Sequence, residues 1–285
     1  GLGDDSFYGG DGDDIFKYAY GDGNDVYEES SIGRDTLIFA DIASTDVKLS
    51  KEYDSLVFSF TGNTDQILFI GQFAEHNSMD FFEFSDGVIW DVDDISAQLT
   101  TGSDGNNVLY GDEDDNELIT FGGNDELYGE GGNDVLNGGT GDDLLFGGDG
   151  NDTIGGGNGE DIIFGDRGDD LILESGGSDE ISDDQGDDTI LGGEGNDQIY
   201  GDSGNDVIEA GDGDDHVIMG LGADTISLGS GDDIASAGYD AGITLLDAGE
   251  GNDTIVDGLG NDTYSGGAGD DLYEGSSIEA SDDIF

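Results

Sequence analysis

The sequence contains no Cys and no Pro, and only 5 Lys and Arg among 285 residues. Without Cys there is neither a disulfide framework nor a thiolate metal site. So few cations argue against nucleic acid and anionic membrane surfaces as partners, because both need clustered Lys and Arg. No run reaches the ~20 apolar residues of a membrane-spanning helix. No secretory signal opens the chain, which starts at Gly1 without Met and reads as a piece of a longer protein. Apolar residues make up 34% of the chain, below the ~45–50% of ordinary globular domains, an average that also counts Gly. Acid and glycine are what it has: 71 Asp and Glu, 55 Gly and a net charge of −66. That composition borders on the disordered class, unless the acids are placed and an external charge neutralises them.

They are placed. From Gly102, fifteen nonapeptides run in register to Ser236. Their sixth positions hold Asn107 and Asn116, then Asp125, Asp134, Asp143, Asp152, Asp161, Asp170, Asp179, Asp188, Asp197, Asp206, Asp215, Asp224 and Asp233. Thirteen of the fifteen are Asp, although Asp is only 54 of 285 residues, so chance does not set the pattern. The fourth position is Gly in 14 of 15 units, and the eighth is Leu, Ile or Val in 14 of 15. A flexible Gly-rich linker has no reason to keep such a register. Looser copies near the start place Asp5, Asp14, Asp25 and Asp35, and after a slip at residues 238–247 three more units place Asp253, Asp262 and Asp271.

The Gly-rich acidic positions turn, and the last three residues of each unit form a short strand whose middle residue points inward. Two nonapeptides make one coil. Equivalent residues of every second unit then stack, giving one inner ladder from Leu109 through Leu127 to Val217 and another from Leu118 through Leu136 to Ile226. The sixth-position acids stack as well. At roughly 5 Å, neighbouring carboxylates repel by ~0.8 kcal/mol in water and ~3 kcal/mol at an effective dielectric near 20. A dozen such contacts rival the ~5–15 kcal/mol stability of a domain, so the coil needs a counter-charge to close. Ca²⁺ suits it, taking six to eight hard oxygens in a tolerant geometry, whereas Mg²⁺ demands a tighter octahedron. Softer metals call for Cys or His.

GGTGDDLLF (138–146), GGDGNDTIG (147–155) and GGEGNDQIY (192–200) resemble the GGxGxDxUx repeat of the RTX (repeats-in-toxin) haemolysin-type calcium-binding proteins. The resemblance implies an all-β chain folded as a parallel β-roll. Such a roll is a right-handed β-solenoid with about 18 residues per turn and Ca²⁺ between successive turns. Same-edge Asp pairs suggest about 12 ions. The expected ligands are the acids named above, from Asp5 to Asp271. The implied organisation is a short repeat block at 1–33, a β-rich module at 34–101, the main roll at 102–274 and a tail at 275–285. In the module, DTLIFADI, DSLVFSF and FFEFSDGVIWDVDDI resemble the haemolysin-type calcium-binding-related domain. There Leu56, Phe58 and Phe60 alternate, residues 66–73 read as a strand, and Ser85-Asp86-Gly87 reads as a hairpin turn.

No pair of carboxylates stands out as a catalytic pair, and no GxSxG, HExxH or phosphate-binding GxxxxGK[ST] motif occurs. His76 and His216 are isolated in sequence. No catalytic residue is therefore expected. The ninth-position aromatics Tyr110, Tyr128, Phe146 and Phe164 should stack on an outer face, either as a stabilising cross-strand ladder or as an interface.

The expected function is a calcium-dependent structural module of a secreted or cell-surface protein, of adhesin, toxin or surface-layer type. The alternative is the export and folding appendage of a secreted enzyme whose catalytic domain lies outside this chain. A third reading, that residues 34–101 bind a ligand themselves, stays open. The resemblance implies export through a type I secretion apparatus, with which the end Ser281–Phe285 is compatible, and folding outside the cell. A protein or glycan surface partner stays unspecified.

Overall fold

The computed structural model describes residues 2–10, 12–28, 34–52, 55–62, 64–70, 79–237, 244–258 and 262–275. The expected stretches at 71–73 and 276–285, His76, and part of the slip at 238–247 lie outside them. The chain forms two units, Gly1–Leu99 and Thr100–Phe285.

The second unit is a β-solenoid. Its short strands alternate between a ten-stranded and a nine-stranded sheet, and every pairing in both sheets is parallel. The register is the one the repeat implies. Leu109 faces Leu127, Leu118 faces Leu136, and Ile163 faces Ile181, each pair separated by two nonapeptides. Within a strand such as Glu180–Ser182 only the middle residue is buried. The core is therefore a double file of single aliphatic residues from Leu109 to Ile255, closed by Tyr264 and joined in its later turns by Ala210, Met219, Leu228 and Ala248. Such a core is thin, and it leaves the turns to supply much of the specificity. At the slip, Thr225 pairs with Leu245 and Asp233 bonds to Asp253, so two extra residues leave the solenoid without shifting its register.

The turns require glycine for a steric reason. At the fourth position Gly150 has φ of 146°, and a Cβ there would collide with the carbonyl oxygen of Gly132 in the preceding turn. At Gly141, Gly150, Gly159 and Gly168 successive turns are stacked too closely to admit a side chain.

The first unit has a separate core of larger residues, in which Tyr18 and Tyr27 from the first block pack with Leu37, Phe39, Phe58, Phe69 and Phe82. The N-terminal strands and those of residues 34–101 share this core. Ser6–Tyr8 pairs with Asp25–Glu28, which pairs with Gln66–Ile70, and Ile15–Tyr18 pairs with Thr36–Phe39. Rings stack through it, with Phe39 and Phe84 at 4.8 Å and Tyr27 and Phe69 at 5.0 Å. The hairpin falls as read from the sequence: Phe82 faces Trp90, and Gly87 at the turn has φ of 84°. One helix, Val92–Thr100, follows. Asp91 and Asp94 exchange side chain–backbone hydrogen bonds of 3.1 Å at its start. That reciprocal cap is a sequence signal of a helix N-terminus.

Candidate metal centre

From Asp125 to Asp262 each sixth-position carboxylate of the roll is buried, and its two oxygens face different surroundings. Its Oδ1 accepts the backbone N–H of the sixth residue one turn earlier. Asp125 donates to Asp143 at 2.8 Å, Asp143 to Asp161 at 2.7 Å, Asp134 to Asp152 at 2.7 Å and Asp152 to Asp170 at 2.8 Å. The series continues through Asp179, Asp188, Asp197, Asp206, Asp215, Asp224 and Asp233 to Asp253 and Asp271. Asp262 accepts instead from Thr244, which occupies a sixth-position seat without a carboxylate.

The other oxygen, Oδ2, is buried without a hydrogen-bond partner in Asp125, Asp134, Asp143, Asp152, Asp161, Asp170, Asp179, Asp188, Asp197, Asp206, Asp215, Asp233 and Asp253. A buried anionic oxygen with no donor is costly, and here the same atom is orphaned at turn after turn.

Those oxygens converge on a small empty volume. A Cβ placed on the first-position Gly147 would lie 2.5 Å from Asp152 Oδ2 and 2.7 Å from the carbonyl oxygen of Gly165. On Gly165 it would lie 2.6 Å from Asp170 Oδ2 and 2.9 Å from the carbonyl oxygen of Asp183. The absent side chain thus leaves a cradle walled by a carboxylate oxygen and by a backbone carbonyl from the next turn. The donors are all hard oxygens, which suits Ca²⁺ and gives a soft metal nothing to hold.

Burial leaves its mark on these acids. Desolvation is the largest cause in each case, with the hydrogen bond to Oδ1 opposing it. It pushes Asp134, Asp143, Asp161, Asp179, Asp188 and Asp233 up to about 6, and Asp170, Asp206 and Asp215 up to about 7. Asp152, Asp197 and Asp253 are raised for the same reason. Spacing alone points to repulsion between stacked carboxylates. Repulsion contributes, but loss of water is the larger effect because each acid is sealed between turns.

The remaining sequence-derived candidates repeat the backbone-to-carboxylate bond, but of their oxygens only Asp14 Oδ2 is buried without a partner. Asp5 donates its N–H to Asp25 Oδ1 at 3.0 Å, and Asp14 to Asp35 Oδ1 at 2.8 Å. Asp35 in turn donates to Asp80 at 2.7 Å, which extends the file to a residue the nonapeptide register does not reach. At the start of the roll the amide oxygens of Asn107 and Asn116 turn to their own loops, accepting from Ser103 and Asp112. Two carboxylates absent from the candidate ligands lie among them: Glu174 beside Asp161 and Asp179, and Asp183 beside Asp188 and Asp206. Both occupy first positions, otherwise mostly glycine, and that departure was the available signal.

Five stretches, 101–136, 137–172, 175–208, 200–235 and 239–273, match the model of the RTX calcium-binding nonapeptide repeat, more than half of the chain. The chain belongs to the RTX calcium-binding repeat family. Residues 56–94 match the haemolysin-type calcium binding protein related domain. The RTX roll thus accounts for the second unit, and the related domain falls within the first. No curated protein matches the chain. Among solved structures it is similar to the extracellular lipase LipA from Serratia marcescens, with 19% identity and a TM-score of 0.21 over 62% of this chain and 32% of that one. The chain therefore spans about a third of that lipase. No helix among the described residues is long and apolar enough to cross a membrane.

Proposed function

We propose that this RTX chain is a calcium-dependent folding module of a secreted or cell-surface protein, and that it supplies structure rather than chemistry. The observation that carries the reading is the file of buried, unpartnered Oδ2 atoms, of which those of Asp134, Asp143, Asp152, Asp170 and Asp197 face a glycine-made cradle with a backbone carbonyl on its other wall. The sixth-position acids from Asp125 to Asp271 would hold the ions in the roll, with Asp5, Asp14, Asp25 and Asp35 doing the same in the first unit. Same-edge pairs put the total at about 12. Bound Ca²⁺ supplies the positive charge that compensates carboxylates withdrawn from water.

The chain's own residues do the rest. The Oδ1 hydrogen bonds orient each carboxylate and tie it to the preceding turn, while the first-position glycines keep the cradle open. Because the donors come together only when turns stack, ion binding free energy becomes folding free energy. Where Ca²⁺ is scarce the chain is an expanded polyanion. At the near-millimolar Ca²⁺ outside cells, sites with Kd of ~10⁻⁴–10⁻³ M fill and the roll closes. That difference fits export of the unfolded chain through a type I apparatus. Joined to a catalytic domain, the same roll would serve as its export and folding appendage.

The test is far-UV circular dichroism during a titration from chelator to about 10 mM Ca²⁺, with Mg²⁺ as the control. A cooperative coil-to-β transition specific to Ca²⁺ is expected. An unchanged β spectrum in chelator would overturn the reading.

A further inference from the structure

One first position of the roll puts an unpartnered acid into the cradle. Elsewhere in the roll a sixth-position acid contributes at most one buried unpartnered oxygen. At the turn that begins with Asp183 there are four: Oδ1 and Oδ2 of Asp183, Oδ2 of Asp188 and Oδ2 of Asp206. Asp183 is completely buried, and Asp188 and Asp206 are 1% exposed. One oxygen from each of the three carboxylates lies within 4.8 Å of the others, which matches the span of oxygens on opposite sides of an ion coordinated at ~2.3–2.6 Å.

Asp183 occupies the position of Gly129, Gly138, Gly147 and Gly165, where a Cβ would point at the Oδ2 of the acid five residues on. Its carboxylate therefore enters the cradle itself. Glu174 provides the internal contrast. It is also an acid at a first position, but both its oxygens are engaged, Oε1 by the Gly156 N–H at 2.5 Å and Oε2 by the Gly157 N–H at 3.0 Å. One first-position acid is held by the backbone of the preceding turn, and the other faces only carboxylates.

We propose that Asp183 converts the position between Asp188 and Asp206 into a three-carboxylate Ca²⁺ site, the tightest in the roll and the first to fill. The proposal rests on the reading of the roll as a calcium-binding module. Its physical basis is ligand charge, since Ca²⁺ sites gain affinity with the number of carboxylates they present. Removing three acids from water without a cation is also costly.

The experiment is Ca²⁺ titration of the full chain in competition with a chromophoric chelator, with circular dichroism confirming that each variant folds in excess Ca²⁺. The unmodified chain should bind one ion about tenfold or more tightly than the average of the others. Asp183→Gly restores the glycine usual at this position and should lose that one ion while keeping the rest. Asp183→Asn keeps the shape and removes the charge, and it should lose the same ion. Glu174→Gly should retain it. Persistence of the tight ion in both Asp183 variants, or its absence from the unmodified chain alongside normal calcium folding, overturns the proposal. Failure of the unmodified chain to bind Ca²⁺ at all would instead overturn the calcium-module reading.

Discussion

Acid should partly replace calcium in this protein. Consider the chain in chelator as the pH falls from 8. Nine carboxylates of the roll have been pushed from 3.8 to about 6 or 7, chiefly by burial. In the unfolded chain they titrate near their ordinary value, so between about pH 4 and 7 the folded state binds more protons than the unfolded one. Stability of the metal-free roll therefore rises as pH falls through the folded values, and it is fully gained only below the ordinary carboxylate range. A shift of about two units corresponds to ~3 kcal/mol per group. These acids sit between turns at the edge of a thin roll, so we retain about a third of that for screening. The nine then contribute roughly 9 kcal/mol, comparable with the entire ~5–15 kcal/mol stability of a domain. The assay is far-UV circular dichroism of the chelated chain from pH 8 to 3.5, with light scattering alongside because the sequence pI is about 4.1. Strand signal should grow on acidification without a rise in scattering. A chelated chain that is equally β-rich at pH 8, or that gains no structure in acid, would refute the desolvation argument.

Three further outcomes follow from single residues. Asp161→Asn keeps an acceptor for the Asp143 N–H but loses the charge of the orphaned oxygen, so calorimetry should show fewer bound Ca²⁺ per chain in a roll that still folds. Gly150→Ala meets both a φ of 146° and the Gly132 carbonyl; strain of that kind costs ~1–3 kcal/mol at least and should raise the Ca²⁺ midpoint of folding. Ile172→Ala empties a fully buried place in the file at ~2–5 kcal/mol, again read as a higher Ca²⁺ midpoint, whereas Thr189→Ala on the adjoining strand, whose side chain is only half-buried, should leave it nearly unchanged.

The roll was legible because its period is strict. Leu109, Leu118 and their successors pair as a two-nonapeptide turn requires, and the aromatics Tyr110, Tyr128, Phe146 and Phe164 stack with ring separations of 4.8, 5.1 and 4.9 Å. Less legible was the division of labour within each carboxylate. Spacing places Asp143 beside Asp161, but it does not say that one oxygen belongs to a backbone N–H and the other to nothing. Glu174 and Asp183 escaped for a related reason: read against the repeat, a first position is a turn glycine, whereas in three dimensions it looks into the cradle. In the first unit the uneven spacing of Asp5, Asp14, Asp25 and Asp35 still marks repeats, yet the aromatic core joining Tyr18 and Tyr27 to Phe58 and Phe82 depends on contacts far apart in sequence.

The hydrogen bonds of the sixth-position acids all run the same way. Asp143 gives its N–H to Asp161, and its carbonyl accepts from Ile162, so both of its peptide groups face the following turn. Toward the preceding turn it offers only a carboxylate oxygen, to Asp125. The solenoid is therefore a polar object with unlike ends. A turn added ahead of an existing one finds acceptors already fixed in place, whereas a turn added behind it must bring its own. The leading end has no earlier turn to donate to its sixth residues. Asparagine stands there, at 107 and 116, uncharged and bonded to its own loop. These two asparagines thus finish the stack at its leading end.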